Sequence, residues 1–353
     1  MRRGLCIAAA LLLVAGCARH PVNVSTESCV SVAGPVVAKV SADLQPRQNT
    51  EPLVPMTVAN RHVPAACPKV AIIDVDGLLV DANLAGPYSM GENPVDLLRE
   101  KLDAVAADRQ ICAVVVRINS PGGGVTASDV MFHELQAFRQ RTGKPVVAYL
   151  LEMSTGGAYY LATAADAIYA HPTTITGGVG VILNLYNLQD TMAQISIFSQ
   201  PIKAGELIDM GTATRELTEQ ARQLLQQMAD EFHQRFRELV VARRPGVKVD
   251  DPTTFDGRVF TATQAAERGL VDRVGYLEEA IREAQTRAGQ GEVRVVMLRR
   301  PNDPARAPYA VTSNNPPQGR WSPISLPGLE RSRLPTFLYL WQVDPTLERG
   351  SGQ

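Results

Sequence analysis

The chain has 353 residues, 45% of them hydrophobic, which is enough for one large domain or two ordinary ones with a sizeable core. Its 35 basic and 36 acidic residues give a formal net charge of −1. The basic residues are spread along the chain rather than gathered into the basic face typical of nucleic-acid-binding proteins, so we expect no nucleic-acid partner.

The N-terminus has the pattern of a cleavable lipoprotein signal over residues 1–17. Two arginines precede an apolar run over 6–14, which is too short for a membrane span of about 20 residues. The stretch Val14-Ala15-Gly16-Cys17 resembles the lipobox of bacterial lipoproteins, so we expect Cys17 to be lipidated and to anchor the chain in the cell envelope. The residue after Cys17 is not Asp, which favours the outer membrane, facing the periplasm, in a host with two membranes. An ordinary secretory signal with an incidental cysteine is the alternative.

Residues 18–66 contain six prolines and no sustained periodicity, so they are predicted to form a Pro-rich tether with one short strand over Val36–Val40. Cys29 and Cys67 flank this segment, and an exported protein permits a disulfide between them, although spacing alone leaves that pairing open. Cys112 lies within an apolar run and is expected to be a small buried hydrophobe.

The folded domain is predicted over residues 67–290. It begins with a buried-strand pattern at 70–76, and further apolar strands are expected over 113–118 and 145–151. Helices are expected from Asn93-Pro94, a helix start, and after the Gly-rich turn, with Val130, Leu135 and Phe138 near one face of the second helix. Continuous apolar strands separated by helices predict an α/β fold with a mainly parallel sheet covered by helices on both faces.

The second half of the chain is predicted to be largely helical. One long helix is expected over 219–243, with Leu224, Met228, Phe232 and Phe236 near one face. Strand, helix and turn are expected over 255–274, and a final helix over 277–288. Residues 291–353 are expected to form a strand followed by an irregular, loosely packed Pro-rich tail, with one apolar island at 337–341.

Three segments carry candidate chemistry. The first is Asn119-Ser-Pro-Gly-Gly-Gly-Val125, between a strand and a helix. Glycines at such a turn let backbone N–H groups approach a ligand oxygen, as in an oxyanion hole, although a merely tight turn would look the same. The second segment runs from Glu152 to Gly180 and contains Ser154-Thr-Gly-Gly-Ala-Tyr-Tyr160. The third is Ile202-Lys-Ala-Gly-Glu-Leu-Ile-Asp-Met-Gly211.

In this order the three segments resemble the signal peptide peptidase A family of serine peptidases, peptidase family S49, which is built on the superfold shared by Clp protease and crotonase. The stretch from Phe255 to Gly275 is also similar to the C-terminal region of that family, and the resemblance covers about residues 68–300. It implies a ClpP/crotonase-like fold and hydrolysis of peptides, notably leftover signal peptides, by a Ser–Lys dyad.

The resemblance also implies that both catalytic side chains are missing. The family serine aligns with Gly156, and the family lysine aligns with Ile208. Gly has no nucleophile and Ile cannot accept a proton, so both dyad positions are degenerate. The glycines Gly122, Gly123 and Gly157 remain as candidate oxyanion or substrate-binding positions.

Replacements for the missing dyad are weaker candidates. Ser154 and Thr155 lie immediately before Gly156 and offer hydroxyls, but at an offset that would aim them elsewhere. Lys203 is expected to be a surface or structural residue, and His171 a loop histidine. No metal-ligand spacing is evident and no cofactor is expected.

The resulting hypothesis is a lipid-anchored S49 homologue that has lost catalysis but still binds peptides or acts as a scaffold. The alternative is an active peptidase with a displaced nucleophile at Ser154 or Thr155. A crotonase-like acyl-thioester enzyme is a third hypothesis, disfavoured because coenzyme A is not expected outside the cytoplasm. The resemblance also implies a ring-shaped homo-oligomer, and the 219–243 helix and the 337–341 island are the candidate contacts between copies.

Overall fold

The computed structural model describes residues 23–31, 35–43, 51–83, 92–301, 305–310 and 337–341. The predicted signal over 1–17, with its lipidation at Cys17, lies outside them. The chain divides into two compact units, one comprising Met1–Gln48 with Pro87–Met90 and the other comprising the remainder. In the described part of the first unit, β1 (Asn23–Ser31) and β2 (Pro35–Asp43) form an antiparallel hairpin.

The second unit contains the remaining strands and helices. The strands are β3 (Val54–Ala59), β4 (Lys69–Asp76), β5 (Ile111–Ser120), β6 (Gly122–Gly124), β7 (Val146–Thr155), β8 (Ala167–Ala170), β9 (Ile175–Gly177), β10 (Val259–Thr261), β11 (Arg273–Val274), β12 (Arg294–Arg299) and β13 (Leu338–Leu340). The helices are α1 (Pro94–Ala107), α2 (Val125–Thr142), α3 (Gly157–Ala162), α4 (Gln189–Gln194), α5 (Glu219–Arg243), α6 (Ala262–Glu267) and α7 (Leu277–Arg287), with a 3-10 turn at Pro252–Phe255.

Nine of these strands form one mixed sheet, in the order β10-β9-β7-β5-β4-β12-β3, with β8 pairing to β7 and β11 to β8. The central pairs β12–β4, β4–β5, β5–β7 and β7–β8 are parallel, and the outer pairs β12–β3 and β10–β9 are antiparallel. The long strand β7 pairs with β8 through its first half and with β9 through its last residues. The last residue of β7, Thr155, therefore lies beside Gly177 of β9, immediately before Gly156.

Both faces of this sheet are covered. In β4, Ala71 and Ile73 belong to one apolar cluster, whereas Val70 and Ile72 belong to the other. The first cluster packs against α1, α2, α3 and α5, and the second packs against α7. Because successive strand residues point to opposite faces, a run that is apolar throughout serves both clusters. The predicted α/β class with a mainly parallel sheet covered by helices is therefore confirmed.

Helix starts follow the local sequence signals, but not every predicted buried face does. The side chain of Asn93 accepts a hydrogen bond from the amide of Val95 (2.9 Å) and Pro94 begins α1. The helix α5 spans the predicted residues 219–243. However, Val130 and Met228 are exposed. Helical spacing identifies a stripe of apolar residues on a helix. The elements that pack against the helix determine which residues of that stripe are buried.

The segment predicted as a tether contains regular structure. Besides the hairpin of β1 and β2, it holds β3, which pairs with β12 at the edge of the large sheet. Short β-branched runs between prolines are sufficient for a hairpin and an edge strand, where prolines are tolerated. Among the described side chains, Cys67 and Cys112 are free thiols, and Cys112 is partly exposed rather than fully buried. The side chain of Cys29 lies outside the described part, so its pairing with Cys67 stays a prediction.

Two strands lie in the described parts of the C-terminal region. The strand β12 lies within the large sheet, and the apolar island at 337–341 contains β13, which packs inside its own chain with Tyr339 fully buried. Among the described residues, no helix is both long enough and apolar enough to cross a membrane.

Candidate functional site

The Gly-rich turn after β5 is fixed by contacts that only glycine permits. The hydroxyl of Ser120 accepts a hydrogen bond from the amide of Gly122 (3.1 Å), whose φ of +101° is in the left-handed region. Leu79 crosses this turn and exchanges hydrogen bonds with the carbonyl of Gly122 (2.9 Å) and the amide of Gly124 (2.8 Å). A β-carbon on Gly123 would lie 2.6 Å from the carbonyl carbon of Leu79, so no side chain fits there.

A second tight turn joins β7 to α3 at Gly156. Its φ of 53° and ψ of −120° are strained for any residue with a side chain, and its amide donates to the carbonyl of Gly177 (2.9 Å). This strand–turn–helix arrangement is the elbow geometry that presents a residue at the end of a strand toward a neighbouring turn. Here that residue carries no side chain.

The two turns lie against each other. A β-carbon built on Gly122 would be 2.8 Å from the amide nitrogen of Gly157, and one built on Gly157 would be 3.4 Å from the amide nitrogen of Gly123. The structure therefore brings together the glycine candidates Gly122, Gly123, Gly156 and Gly157. Closely spaced backbone amides without side chains suit a carbonyl oxygen or a peptide main chain.

The two hydroxyl groups immediately before Gly156 form hydrogen bonds to main-chain carbonyls. Ser154 and Thr155 are completely buried. The hydroxyl of Ser154 donates to the carbonyl of Ile118 (2.8 Å), and that of Thr155 donates to the carbonyl of Pro121 (3.1 Å). Both residues thus tie the end of β7 to β5 and to the Gly-rich turn.

Ile208 lies in a different environment. It belongs to the irregular segment between α4 and α5, and 73% of its surface is exposed. Asp209, beside it, accepts hydrogen bonds from Lys203 (2.7 Å) and Arg215 (2.5 Å), and these bonds lower the pKa of Asp209. Lys203 also donates to the carbonyl of Glu206 (2.7 Å). Lys203, Asp209 and Arg215 therefore stabilise the conformation of the loop to which they belong.

His171 is a loop residue in the structure. Its Nδ1 lies 2.8 Å from the hydroxyl of Thr173, and its ring packs edge-on against Tyr276 at 5.3 Å. No group of three or more His, Cys, Asp or Glu residues suited to a metal ion occurs in the part of the chain that the structure describes.

Sequence reasoning missed an aromatic site beside the glycine turns. Tyr160 donates to Asp129 (2.5 Å), which also accepts from Arg235 (2.8 Å), so α2, α3 and α5 are joined at this point. Burial acts to raise the pKa of Asp129, but these two hydrogen bonds outweigh it and the pKa is lowered. Tyr339 of β13 stacks on Tyr160 at 5.3 Å. The apolar island at 337–341 was the sequence signal for this site. Its residues alone do not indicate that it packs against β6 and Tyr160.

Comparison with known proteins identifies the group of proteins that shares these motifs. The family model "Peptidase family S49" matches residues 138–291. The chain is 32% identical over 242 residues to the serine protease SPPA of Arabidopsis thaliana chloroplasts. The aligned region covers 66% of this chain and 35% of that protein. The chain is 30% identical over 215 residues to Protease 4 of Salmonella typhi, covering 61% of this chain and 34% of that protein.

A third relative is closer to this chain in length. The putative signal peptide peptidase SppA of Enterococcus faecium is 26% identical over 213 residues, covering 60% of this chain and 62% of that protein. The chain thus spans about a third of the length of the two longer relatives. The family match over residues 138–291, together with the motifs and the α/β fold, assigns this part of the chain to peptidase family S49.

Proposed function

We propose that this chain is a lipid-anchored member of family S49 that binds extended peptides without hydrolysing them. The observation that carries this proposal is Gly156. It stands at the elbow between β7 and α3, where a nucleophile would have to project, and it has no side chain. The second dyad position, Ile208, has no group that accepts a proton.

The geometry supports continued peptide binding. The short strand β6 is formed entirely by glycines, so no side chain obstructs an extended chain that lies along it. Its neighbour at the elbow, Gly157, is again glycine, so no side chain separates the two turns. Such a site recognises a main chain by strand pairing, with side-chain specificity left to nearby pockets.

A displaced nucleophile has little support from the hydrogen bonds. Each hydroxyl of Ser154 and Thr155 already donates to a main-chain carbonyl and is completely buried. Turning either one toward a substrate would leave that buried carbonyl short of its partner, at a cost of about 1–3 kcal/mol. An active peptidase built on these residues is therefore the alternative that the experiment has to exclude.

Fluorophosphonate labelling tests the non-hydrolytic proposal. We expect no covalent labelling of the wild-type protein under conditions in which a known serine hydrolase in the same tube is fully labelled. Labelling that is lost in Ser154→Ala or in Thr155→Val would overturn the proposal in favour of the displaced nucleophile. Labelling that persists in both variants would equally contradict it, since another serine or threonine would then be reactive.

Restoring the family residues is a complementary test. Nucleophile and base act as a unit, so Gly156→Ser or Ile208→Lys alone should not create measurable hydrolysis. The double variant supplies both groups. We nevertheless expect it to remain inactive, because Ile208 is 73% exposed and a lysine there would stay solvated, with its pKa too high for a base.

The membrane anchor is a separate part of the proposal and rests on the lipobox pattern at Cys17. Two or more acyl chains on one cysteine give stable anchoring. We expect the protein to partition into detergent and to incorporate labelled palmitate, and we expect Cys17→Ser to lose both properties. A Cys17→Ser protein that is still labelled and membrane-bound would contradict the anchor.

We also propose self-assembly through the segment between β9 and α5. Its large apolar side chains are at least half exposed at five positions: Ile195, Ile197, Phe198, Ile202 and Ile208. A continuous exposed apolar segment of this kind is typical of an interface, and a closed ring of identical copies is a common way to cover it. Sedimentation at micromolar concentration should show an oligomer that Ile202→Asp dissociates, and a monomeric wild-type protein would contradict assembly.

A further inference from the structure

The described C-terminal segment occupies the glycine turn as an extended ligand would. The strand β13 pairs antiparallel with β6, with Tyr339 opposite Gly123. At its ends, the carbonyl of Phe337 accepts from the amide of Val125 (3.3 Å), and the amide of Trp341 donates to the carbonyl of Pro121 (3.2 Å).

The other edge of β13 is paired as well. The amide of Leu338 donates to the carbonyl of Ile182 (2.9 Å), and the amide of Ile182 donates back to the carbonyl of Leu338 (3.0 Å). A three-residue strand held by main-chain hydrogen bonds on both sides lies in a groove, with β6 and Ile182 as its two walls. This is the manner in which extended peptides add to exposed strand edges.

One side chain anchors the strand. Tyr339 is completely buried, stacked on Tyr160 and tilted against Phe236 at a centroid distance of 4.7 Å. Its hydroxyl donates to the carbonyl of Phe232 (2.8 Å), so the pocket satisfies both the ring and the polar end. The neighbouring Leu338 and Leu340 are only partly buried, and Trp341 is 39% exposed.

The strand also fills the space above the elbow. A β-carbon on Gly156 would overlap the carbonyl oxygen of Tyr339 and would lie 2.7 Å from its carbonyl carbon and 3.1 Å from the amide nitrogen of Leu340. The Tyr339–Leu340 peptide bond therefore rests directly on the position that lacks a side chain. In this arrangement the bound strand requires a glycine at position 156.

We infer that residues 337–341 are an intramolecular ligand of the peptide groove, and that an external extended peptide with an aromatic anchor has to displace them in order to bind. This inference rests on the proposed peptide-binding function and names its regulation. The strand is linked to Ala310 through 26 intervening residues. Because β13 belongs to the same chain as the groove, an external peptide competes with it at a disadvantage set by the effective concentration of an intramolecular ligand.

Fluorescence anisotropy with a labelled synthetic peptide of residues 333–344 tests the inference. We expect the peptide to bind the Tyr339→Ala protein at least tenfold more tightly than the wild type, since the variant strand has lost its anchor. The matched control is Trp341→Ala, which alters a partly exposed side chain of the same segment and should stay within threefold of the wild type. A peptide in which the tyrosine is replaced by alanine should bind neither protein.

A second arm avoids any change in the groove. A site-specific protease sequence is placed within residues 311–336 of the otherwise wild-type protein, which is assayed uncut and cut. Cutting turns β13 into a separable fragment, so the labelled peptide should exchange into the cut protein and not into the uncut one.

The outcomes are distinct. Equal peptide affinity for wild type, Tyr339→Ala and cut protein would overturn the intramolecular ligand, and so would the absence of binding to every folded form. Cleavage of the peptide during the assay, detected by mass spectrometry, would instead contradict the non-hydrolytic proposal and would leave the displacement result interpretable.

Discussion

The regions around Gly156 and Ile208, the two proposed dyad positions, differ in how the chain holds them. Gly156 lies between buried strands, with its amide bonded to Gly177 and with the buried hydroxyls of Ser154 and Thr155 tying the preceding strand in place. Ile208 lies on an exposed loop that is held by local ion pairs around Asp209. The first region is built by the hydrophobic core, and the second is not.

This difference determines where a side chain can be tolerated. In the glycine region the surrounding structure demands glycines at Gly122, Gly123 and Gly157, because an added β-carbon would meet neighbouring atoms. In the loop region no core packing depends on the residue at 208. Substitutions should therefore be costly for folding in the first region and nearly free in the second, and the following four changes test that contrast in order of decreasing effect.

The largest effect is expected for Gly123→Ala. The added methyl group would meet the backbone of Leu79, which cannot move like the end of a side chain, so we expect a loss of about 3 kcal/mol or more in the free energy of unfolding. Denaturant unfolding measures the loss. Gly246→Ala is the control, since a β-carbon there meets nothing within 4 Å and should change stability by less than about 0.5 kcal/mol. Equal effects would mean that the glycine turn is not tightly packed.

A smaller effect is expected for Ser154→Ala. The variant removes the hydrogen bond to the carbonyl of Ile118 in a fully buried position, which should cost about 1–2 kcal/mol in unfolding experiments. Peptide hydrolysis should stay at background in both the wild type and the variant, because the hydroxyl has a structural role. Wild-type hydrolysis that is lost in a variant of unaltered stability would reverse the assignment.

Asp76 lies at the end of β4, close in sequence to the Leu79 contact, and gives a pH-dependent effect. Burial, together with the charge of Asp74, raises its pKa to about 6, although Arg117 and Lys101 act in the opposite direction. The folded state thus keeps a proton that the unfolded chain releases at lower pH, so this group favours folding more at pH 4 than at pH 7.

Asp76→Asn removes that titration. We expect the variant to gain on the order of 2 kcal/mol relative to wild type on going from pH 4 to pH 7, as measured by denaturant unfolding of both proteins at each pH. The wild-type–variant difference is the informative quantity, because other carboxyl groups titrate equally in both proteins. A difference that does not change with pH would contradict the raised pKa.

The smallest effect on folding is expected for Ile208→Asp. The side chain is 73% exposed, so the stability of the protomer should change by less than about 0.5 kcal/mol in thermal or denaturant unfolding. Measurements at concentrations where the protein is monomeric separate folding from assembly. A loss comparable to that of Ser154→Ala would show that the loop is packed and would remove the contrast between the two regions.

Much of this architecture follows from local patterns. The apolar runs of β4, β5 and β7 and the Asn93-Pro94 start of α1 are local signals, and the structure contains those elements. The bounds of α5 were also predicted, yet Met228 is exposed, because the packing partner decides which side of a helical stripe is covered. Such choices depend on residues that are distant in sequence.

The candidate site shows the same limit. Motif order placed Gly122, Gly123, Gly156 and Gly157 together, whereas the pairing of β13 with β6 joins residues from opposite ends of the chain. A five-residue apolar island at 337–341 is compatible with a contact between copies, with a loose tail or with a strand in the groove. Only the tertiary arrangement distinguishes them, since the pocket for Tyr339 is assembled from α3 and α5.

We propose that the glycine elbow at Gly156 does not support hydrolysis. The most direct measurement is prolonged incubation of the wild-type protein with a synthetic signal peptide, followed by mass spectrometry of the products. The absence of a nucleophile at Gly156 predicts no cleavage above the level of a protein-free control. Turnover that Ser154→Ala or Thr155→Ala abolishes would contradict the claim and would assign an active peptidase to this chain.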